Sequence, residues 1–179
     1  MSTDKVNTLP TYILLAIVVC LMSLIGYAVY QGKNPKSDGV LTEENEPKEE
    51  WEIIYPNTKI MHLGDKEVRA SIARTWPEKI KGLSNTPYLP ADVVKLFVFE
   101  APDIQSIWMF EMNYSLDIIW LDADGKIIEI KENISPDTYP ENFAAKEPAL
   151  YVIEAVAGFV AENNITATST VVLPIGVGQ

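Results

Sequence analysis

The chain has 179 residues, of which 25 are acidic and 14 are Lys or Arg, and its formal net charge at pH 7 is −11. This length suits a single domain with an attached segment. The acidic balance argues against nucleic acid and against an anionic membrane surface as partners, because both attract clusters of basic side chains. The lone cysteine, Cys20, excludes an internal disulfide.

An uncharged, largely apolar segment covers residues 11–30. About 20 residues is the length that an α-helix needs to cross the hydrocarbon core of a bilayer. Tyr12, Tyr27 and Tyr30 lie at its ends, where aromatic rings favour the membrane interface. A cleaved signal peptide would have a shorter apolar core and a small-x-small cleavage site. We therefore predict a short tail at residues 1–10 and one transmembrane helix at residues 11–30.

A polar segment follows at residues 31–52, with seven acidic residues and three lysines. Because it can bury little apolar surface, we predict a disordered linker that leads to a β-rich domain at residues 53–179. The lysines around the span favour a cytoplasmic C-terminus by one residue. A short tail, one span and a large acidic domain are instead typical of a signal anchor. We expect a single-pass protein of the cell membrane whose C-terminal domain is extracytoplasmic.

The folded part has the pattern of consecutive strands with two short helices. Gly64 and Asp65 separate two strand-like segments, Lys59–Leu63 and Glu67–Ala73, and predict a hairpin. Further strands are predicted at residues 95–101, 107–112, 116–121, 126–134, 149–156 and 170–174. The segments 107–112 and 116–121 are expected to be neighbouring strands of a buried sheet, and residues 136–148 a loop without regular structure. These elements predict a mainly β (α+β) domain, closed as a compact barrel or sandwich.

The two helices have recognisable boundaries. Thr75 and Glu78 have the spacing of a capping box, in which each side chain satisfies a backbone amide of the first turn. Gly82 can end this helix, so we predict it at Thr75–Lys81. A second short helix is predicted at residues 158–164.

Several landmarks of the domain match the pattern of a known family. They are Ile72-Ala73 with Thr75-x-x-Glu78 and Gly82-Leu83, Leu96-Phe-Val-Phe99, Ile107-Trp108-Met109, Leu116-Asp117-Ile-Ile119 with Asp122 and Gly125, and Tyr151-Val-Ile-Glu154 with Gly158. In this order and spacing, the segment from about Val68 to Leu173 resembles the domain-of-unknown-function 192 family (DUF192) of bacteria and archaea. The resemblance implies a compact β-rich fold and supplies no activity, cofactor or substrate.

The chain departs from the pattern of that family in its polar positions. Where the family usually has Lys-Asn-Thr after the tryptophan motif, this chain has Phe110-Glu111-Met112. A Gly-Asp pair before the last strand is replaced by Thr168-Ser169. If those polar residues carry a shared activity, the resemblance implies that this member has lost it.

Asp117 and Glu154 are the strongest candidates for chemistry. Strand alternation places Asp117 on the side of Ile119 and Leu121, and Glu154 on the side of Val152 and Val156. A carboxylate in such surroundings must be paired, hydrogen-bonded or protonated. If the two converge, they can form an acid/base pair or a hard-cation site. The alternative, which we favour, is that each is a structural acceptor.

Aromatic and polar side chains near the centre of the chain are candidate ligand-binding residues. Trp108, Trp120 and Tyr114 can form an aromatic platform, although strand aromatics more often pack in a core. Glu111 is expected at a rim. Arg74 can pair with either candidate carboxylate or lie on the surface. His62 is the single histidine and, with no partner at a metal-ligand spacing, is expected to be a hairpin residue.

No nucleophile with a base, metal cluster or phosphate loop is recognisable in the sequence, and we predict no cofactor or metal site. The expected function is a binding module without catalysis, whose ligand is a small molecule, a glycan or a protein. One alternative is a hydrolase-like or lyase-like enzyme that uses Asp117 and Glu154, which requires both carboxylates in one cleft. The other is a membrane-protein assembly factor or scaffold, which predicts an exposed apolar patch near Trp108 or in residues 135–148.

Overall fold

The computed structural model describes Met22, Ser23, Tyr27 and residues 48–177. The chain divides into two units, residues 1–47 and 48–179. The predicted tail, span and linker therefore lie outside the described residues, apart from those three positions and residues 48–52. Within the described part, no helix has the length and apolar character that a bilayer crossing requires.

The second unit is β-rich with few short helices, as predicted. Its helices are α1 at Glu50–Ile54, α2 at Trp76–Lys81 and α3 at Phe159–Glu162, with a 3-10 turn at Pro136–Thr138. Its strands are β1 at Lys59–Leu63, β2 at Lys66–Ala73, β3 at Val93–Asp103, β4 at Ser106–Trp108, β5 at Leu116–Leu121, β6 at Ile127–Ile134, β7 at Asn142–Ala144, β8 at Ala149–Val156 and β9 at Val171–Val172.

Seven strands form one curled sheet in the order β6-β5-β8-β3-β2-β1-β9. The predicted hairpin is confirmed, because β1 and β2 are antiparallel with Leu63 opposite Lys66. Strands β2 and β3 are parallel and are connected through α2. The capping box is also confirmed, and the helix ends at Gly82, whose φ of 46° lies in the left-handed region that suits glycine. The curl brings Leu173 against Gly125, in the turn between β5 and β6.

Both faces of the sheet are buried. One face packs with Met61, Leu96, Ile119, Ile153 and Phe159 of α3. The other face packs with Phe97, Ile118, Trp120 and Val152 beneath Tyr55, Leu83 and Leu89. A polar side chain on a central strand therefore lies in one of two apolar environments. Its hydrogen-bonding groups must find partners in that environment.

Three details of the predicted architecture are wrong. The sheet is open, with β6 and β9 at its edges, so the domain is a curled half-barrel and not a closed one. The segment 107–112 is not a strand beside β5. Only Ser106–Trp108 is extended, and it pairs with β7 in a separate two-stranded sheet. Residues 136–148, predicted to lack regular structure, supply both β7 and the 3-10 turn.

The strand beginning at residue 106 ends early because the chain turns at Glu111. Glu111 has a φ of 54°, and Met112 N–H donates to Met109 O at 3.4 Å. The turn is fastened to the loop after α2, since Ser84 Oγ donates to Phe110 O at 2.7 Å and Asn85 N–H donates to Glu111 O at 2.8 Å. Apolar periodicity alone could not predict this turn, because its fastening residues lie about 26 positions earlier.

Candidate functional site

Asp117 is completely buried and accepts two backbone hydrogen bonds. Its Oδ1 accepts from Asn133 N–H at 2.8 Å, and its Oδ2 accepts from Val160 N–H at 2.9 Å. Asn133 lies at a bulge, where Asp117 stands opposite two residues of β6 and Asn133 has a φ of 52°. Val160 lies in the first turn of α3, whose amides have no partner within the helix. The favoured interpretation of Asp117 as a structural acceptor therefore fits its contacts.

Glu154 is also buried, but on the opposite face of the sheet. It lies across from Ile118 in β5, whereas Asp117 lies across from Ala155. Directly opposed residues of antiparallel strands point to the same side, and consecutive residues point to opposite sides. The two carboxylates therefore do not share a cleft. The enzyme alternative requires that they do.

Glu154 lacks the partners that Asp117 has. Its Oε2 is buried without a hydrogen-bond partner among the described residues. Burial raises its pKa to about 8, although the neighbouring Lys95 opposes this shift. The side chain is therefore mostly protonated at neutral pH, which lowers the cost of placing it in an apolar layer.

Lys95 and Ser71 form, together with Glu154, a row of polar side chains across three neighbouring strands of the sheet. Lys95 lies opposite Glu154 in β8 and beside Ser71 in β2. Its Nζ donates to Ser71 Oγ at 3.3 Å. Burial lowers the pKa of Lys95, and the charges of Glu154 and Glu78 partly offset that effect. Lys95 and Ser71 were not predicted from the sequence; the available signal was a single lysine among the otherwise apolar first seven residues of β3.

Tyr114 belongs to a buried chain of hydroxyl groups and not to an aromatic platform. Thr86 Oγ1 donates to Leu83 O at 2.6 Å and lies 2.6 Å from Tyr114 OH. Because the single hydroxyl hydrogen of Thr86 is used, Tyr114 is the donor to Thr86. Tyr55 OH donates to Tyr88 O and lies 3.4 Å from Tyr114 OH. Burial raises the pKa of Tyr114 well above its ordinary value, so it stays a neutral donor.

The tryptophans have different environments. Trp120 is fully buried, and its indole N–H donates to Gln105 O at 2.9 Å, so core packing is confirmed for it. Trp108 is 45% exposed, and core packing is wrong for it. Its ring lies 5.5 Å from that of Phe110 and 5.9 Å from that of Tyr139, between centroids. We call these three side chains the aromatic cluster; Phe110 and Tyr139 were missed in the sequence.

A groove with a volume of about 320 Å³ lies next to Trp108. It runs between α2 and β4, and Lys79, Gln105 and Asn142 contribute polar groups to it. Lys79 Nζ lies 4.8 Å from the centroid of Phe99. We call it the aromatic groove, and its apolar lining is Trp76, Ile80, Phe97, Phe99, Ile107 and Trp108.

The remaining sequence candidates lie apart from one another. Glu111 is exposed, as expected, and its Oε2 accepts from Asn85 Nδ2 at 2.6 Å. Arg74 is on the surface, and its Nη2 donates to Gly176 O at 2.7 Å rather than to either candidate carboxylate. His62 is a hairpin residue, with Nε2 3.6 Å from Glu67 Oε2. The predicted ligand-binding residues therefore do not form one site; Trp108 alone lines the aromatic groove.

The comparisons with known proteins support the family and the fold. The DUF192 family, described as an uncharacterised conserved group, matches residues 59–173. A protein from Sinorhizobium meliloti 1021, provisionally described as a transcription regulator, is 22% identical with a TM-score of 0.60, over 64% of this chain and 91% of its own. A protein of unknown function from Novosphingobium aromaticivorans is 28% identical with a TM-score of 0.57, over 60% and 79%. No curated protein matches the chain.

The contacts of Asp117 predict a large effect of a small change. In Asp117→Asn, one oxygen becomes an NH2 group that faces a backbone N–H, so one buried amide loses its acceptor. We expect the free energy of unfolding to fall by about 2 to 3 kcal/mol, measured by urea denaturation of the full chain.

Asp122→Asn is the matched control. Asp122 also accepts two backbone amides, from Asp124 and Lys126, but both bonds end on its Oδ1. An asparagine oxygen can replace it, so we expect a loss below about 1 kcal/mol. Equal losses for the two variants would contradict the proposed role of Asp117.

The raised pKa of Glu154 predicts a pH dependence of stability. The folded chain keeps this proton up to about pH 8, whereas the unfolded chain loses it near 4.5. The folded state therefore binds more protons in this window, and stability falls as pH rises through it, by at most about 1.4 kcal/mol per pH unit. Relative to Glu154→Gln, the wild type should lose stability between pH 5 and 8 and then level off, in urea denaturation. A difference that does not change with pH would refute the assignment.

Proposed function

Because the chain belongs to the DUF192 family, which is uncharacterised, we propose its function from the surface that it exposes: a binding module that holds apolar side chains of a polypeptide partner in the aromatic groove. The observation that carries this proposal is the exposure of large apolar residues on both walls of the groove. Trp76 is 74% exposed on one wall, and Trp108 is 45% exposed on the other. Ile80 and Ile104 are each about half exposed nearby.

Contiguous exposed apolar surface of this kind is typical of interaction sites. Tryptophan and tyrosine are also the residues that most often dominate binding energy at protein interfaces. The scaffold alternative from sequence predicted a patch near Trp108 or in residues 135–148, and the aromatic cluster combines both, since Tyr139 comes from that segment. These observations favour a partner over catalysis.

The ring geometry favours a polypeptide over a glycan. The planes in the aromatic cluster are inclined by 37° for Trp108 and Phe110, 62° for Trp108 and Tyr139, and 52° for Phe110 and Tyr139. Stacking a sugar needs an open, flat ring face, whereas these three rings pack against one another at inclinations of 37° to 62°. Inclined rings beside a groove instead suit interdigitation with apolar side chains, which is how the cores of protein interfaces pack.

We also propose that residues 11–30 anchor the chain in the cell membrane and that the domain is extracytoplasmic. The support is the uncharged length of that segment together with the acidic residues 31–52. A partner for the aromatic groove is then a membrane or extracytoplasmic polypeptide, consistent with an assembly or recruitment role.

The groove is tested with peptides of defined sequence. Random peptides displayed on phage are selected on the full chain, synthesised, and measured by fluorescence anisotropy. We expect the selected peptides to be rich in aromatic and aliphatic residues. Trp108→Ala should weaken their binding about 30-fold, because truncating a central tryptophan typically costs about 2 kcal/mol.

Val172→Ala is the matched control, since Val172 is an equally exposed apolar residue on β9 and does not line the groove. It should leave the affinity unchanged. Peptides that bind the Trp108→Ala variant as tightly as the wild type would show that the groove is not the binding surface.

The anchor is tested by alkaline carbonate extraction. We expect the full chain to stay in the membrane pellet and the double variant Val18→Arg, Leu21→Arg to move to the supernatant, because each arginine in mid-span costs about 2.5 to 3.5 kcal/mol. For the orientation, a Lys126→Cys variant should react with a membrane-impermeant maleimide in intact cells. Wild-type chain in the supernatant would contradict the anchor, and labelling only after lysis would contradict export.

A further inference from the structure

A second cavity lies on the other side of α2 and differs from the aromatic groove in its charge. Its volume is about 650 Å³, within the range of small-molecule pockets. Its charged lining comprises four cationic side chains and one carboxylate: Lys59, Arg74, Lys81, Lys95 and Glu78. We call it the cationic cleft. In a chain with a net charge of −11, this concentration of positive charge is opposite to the overall balance.

The single carboxylate in the cleft is already used by the backbone. Glu78 Oε2 accepts from Arg74 N–H at 2.9 Å and from Thr75 N–H at 2.8 Å, as the capping box of α2. The amide hydrogen bonds, led by that from Thr75, lower the pKa of Glu78. Within the described part of the chain, none of the four cationic side chains of the cleft forms an ion pair within 4 Å.

At the inner end of the cleft, two side chains have donor hydrogens for which the described residues supply no acceptor. Ser71 is 5% exposed, and its Oγ accepts from Lys95 Nζ, so its own hydrogen is available to donate. Lys95 has two further ammonium hydrogens. Burial raises the pKa of Glu154 to about 8, so at neutral pH it carries only a small part of a negative charge and offsets the charge of Lys95 only in part.

The outer end is built from side chains held in place. Arg74 Nη2 donates to Gly176 O at 2.7 Å, and Lys59 Nζ donates to Ile175 O at 3.3 Å. Both cations are thus fixed by backbone carbonyls, which satisfy a donor without cancelling the charge. Arg74 keeps further N–H groups for a ligand, and Lys81 is exposed beside it.

From this arrangement we infer that the cationic cleft binds a small molecule that carries a doubly charged oxyanion, of the phosphate monoester class, with the oxyanion at Ser71 and Lys95 and with the charges of Arg74 and Lys81 further out attracting it. A phosphate monoester has about −1.5 to −2 charge at pH 7 and three acceptor oxygens, which match the Ser71 hydroxyl and the two further ammonium hydrogens of Lys95. A single carboxylate would bring one charge and two oxygens, and would leave more of the cationic lining unneutralised.

The experiment titrates the full chain with inorganic phosphate, and separately with acetate, by calorimetry at constant ionic strength. We expect saturable binding of phosphate and weaker or no binding of acetate. Lys95→Met should weaken phosphate binding about tenfold or more, because it removes a charge-assisted hydrogen bond, and Arg74→Gln should weaken it less, because it removes one attracting charge further out. Ser71→Ala should weaken it without changing the charge of the chain.

Lys126→Gln is the control, because it removes one exposed charge that does not line the cleft. It should leave the affinity for phosphate unchanged. If circular dichroism shows that Lys95→Met does not fold, the inference is tested with Arg74→Gln and Lys81→Gln at the outer end, which should weaken phosphate binding. The inference is overturned if phosphate does not saturate the wild type, or if Lys126→Gln weakens binding as much as the cleft variants do. Neither result bears on peptide binding at the aromatic groove.

Discussion

Two hydrogen bonds to one buried carboxylate hold together three distant parts of the domain. Asp117 in β5 accepts the amide that the bulge of β6 leaves without a partner, and an amide of the first turn of α3. Without Asp117, the Val160 amide would be buried with no acceptor, at a cost of about 1 to 3 kcal/mol, and the partly buried Asn133 amide would lose its acceptor as well. The bend of β6 and the position of α3 under the sheet therefore both depend on a residue that alternation places in an apolar layer.

Alternation along the strands predicted the apolar side on which each candidate carboxylate lies. It did not predict which residues of other elements contact that carboxylate. Alternation correctly placed Asp117 with Ile119 and Glu154 with Val152, because a strand has a period of two wherever it pairs. It could not show that these sides are opposite faces of one sheet, since that depends on which residue of β5 lies across from Glu154. Register is a tertiary property, and the bulges that set it have no composition signal here.

The errors about the aromatic residues have a similar cause. Trp108 and Trp120 occur in similar apolar runs, yet one lies beside a groove and the other is in the core. The difference arises near Glu111, where the backbone turns, so that Trp108 and Phe110 are exposed while Met109 between them stays in the core. Phe110 stands where the family pattern usually has a polar residue, and it completes the aromatic cluster. One departure from the pattern of the resembled family therefore adds a ring to the exposed apolar surface.

Helix α2 forms a wall of both cavities and has no buried residue of its own. Its first turn is held by the capping box at Thr75, and it ends at Gly82, where a Cβ would lie only 3.2 Å from the ring of Phe97. The two cavities therefore share a wall that an occupant of either one could displace. Any displacement of the helix that an occupant of one cavity stabilises changes the affinity of the other cavity, and the change is equal in both directions. The six residues of α2 would then couple the binding of a polypeptide in the aromatic groove to the binding of a small molecule in the cationic cleft.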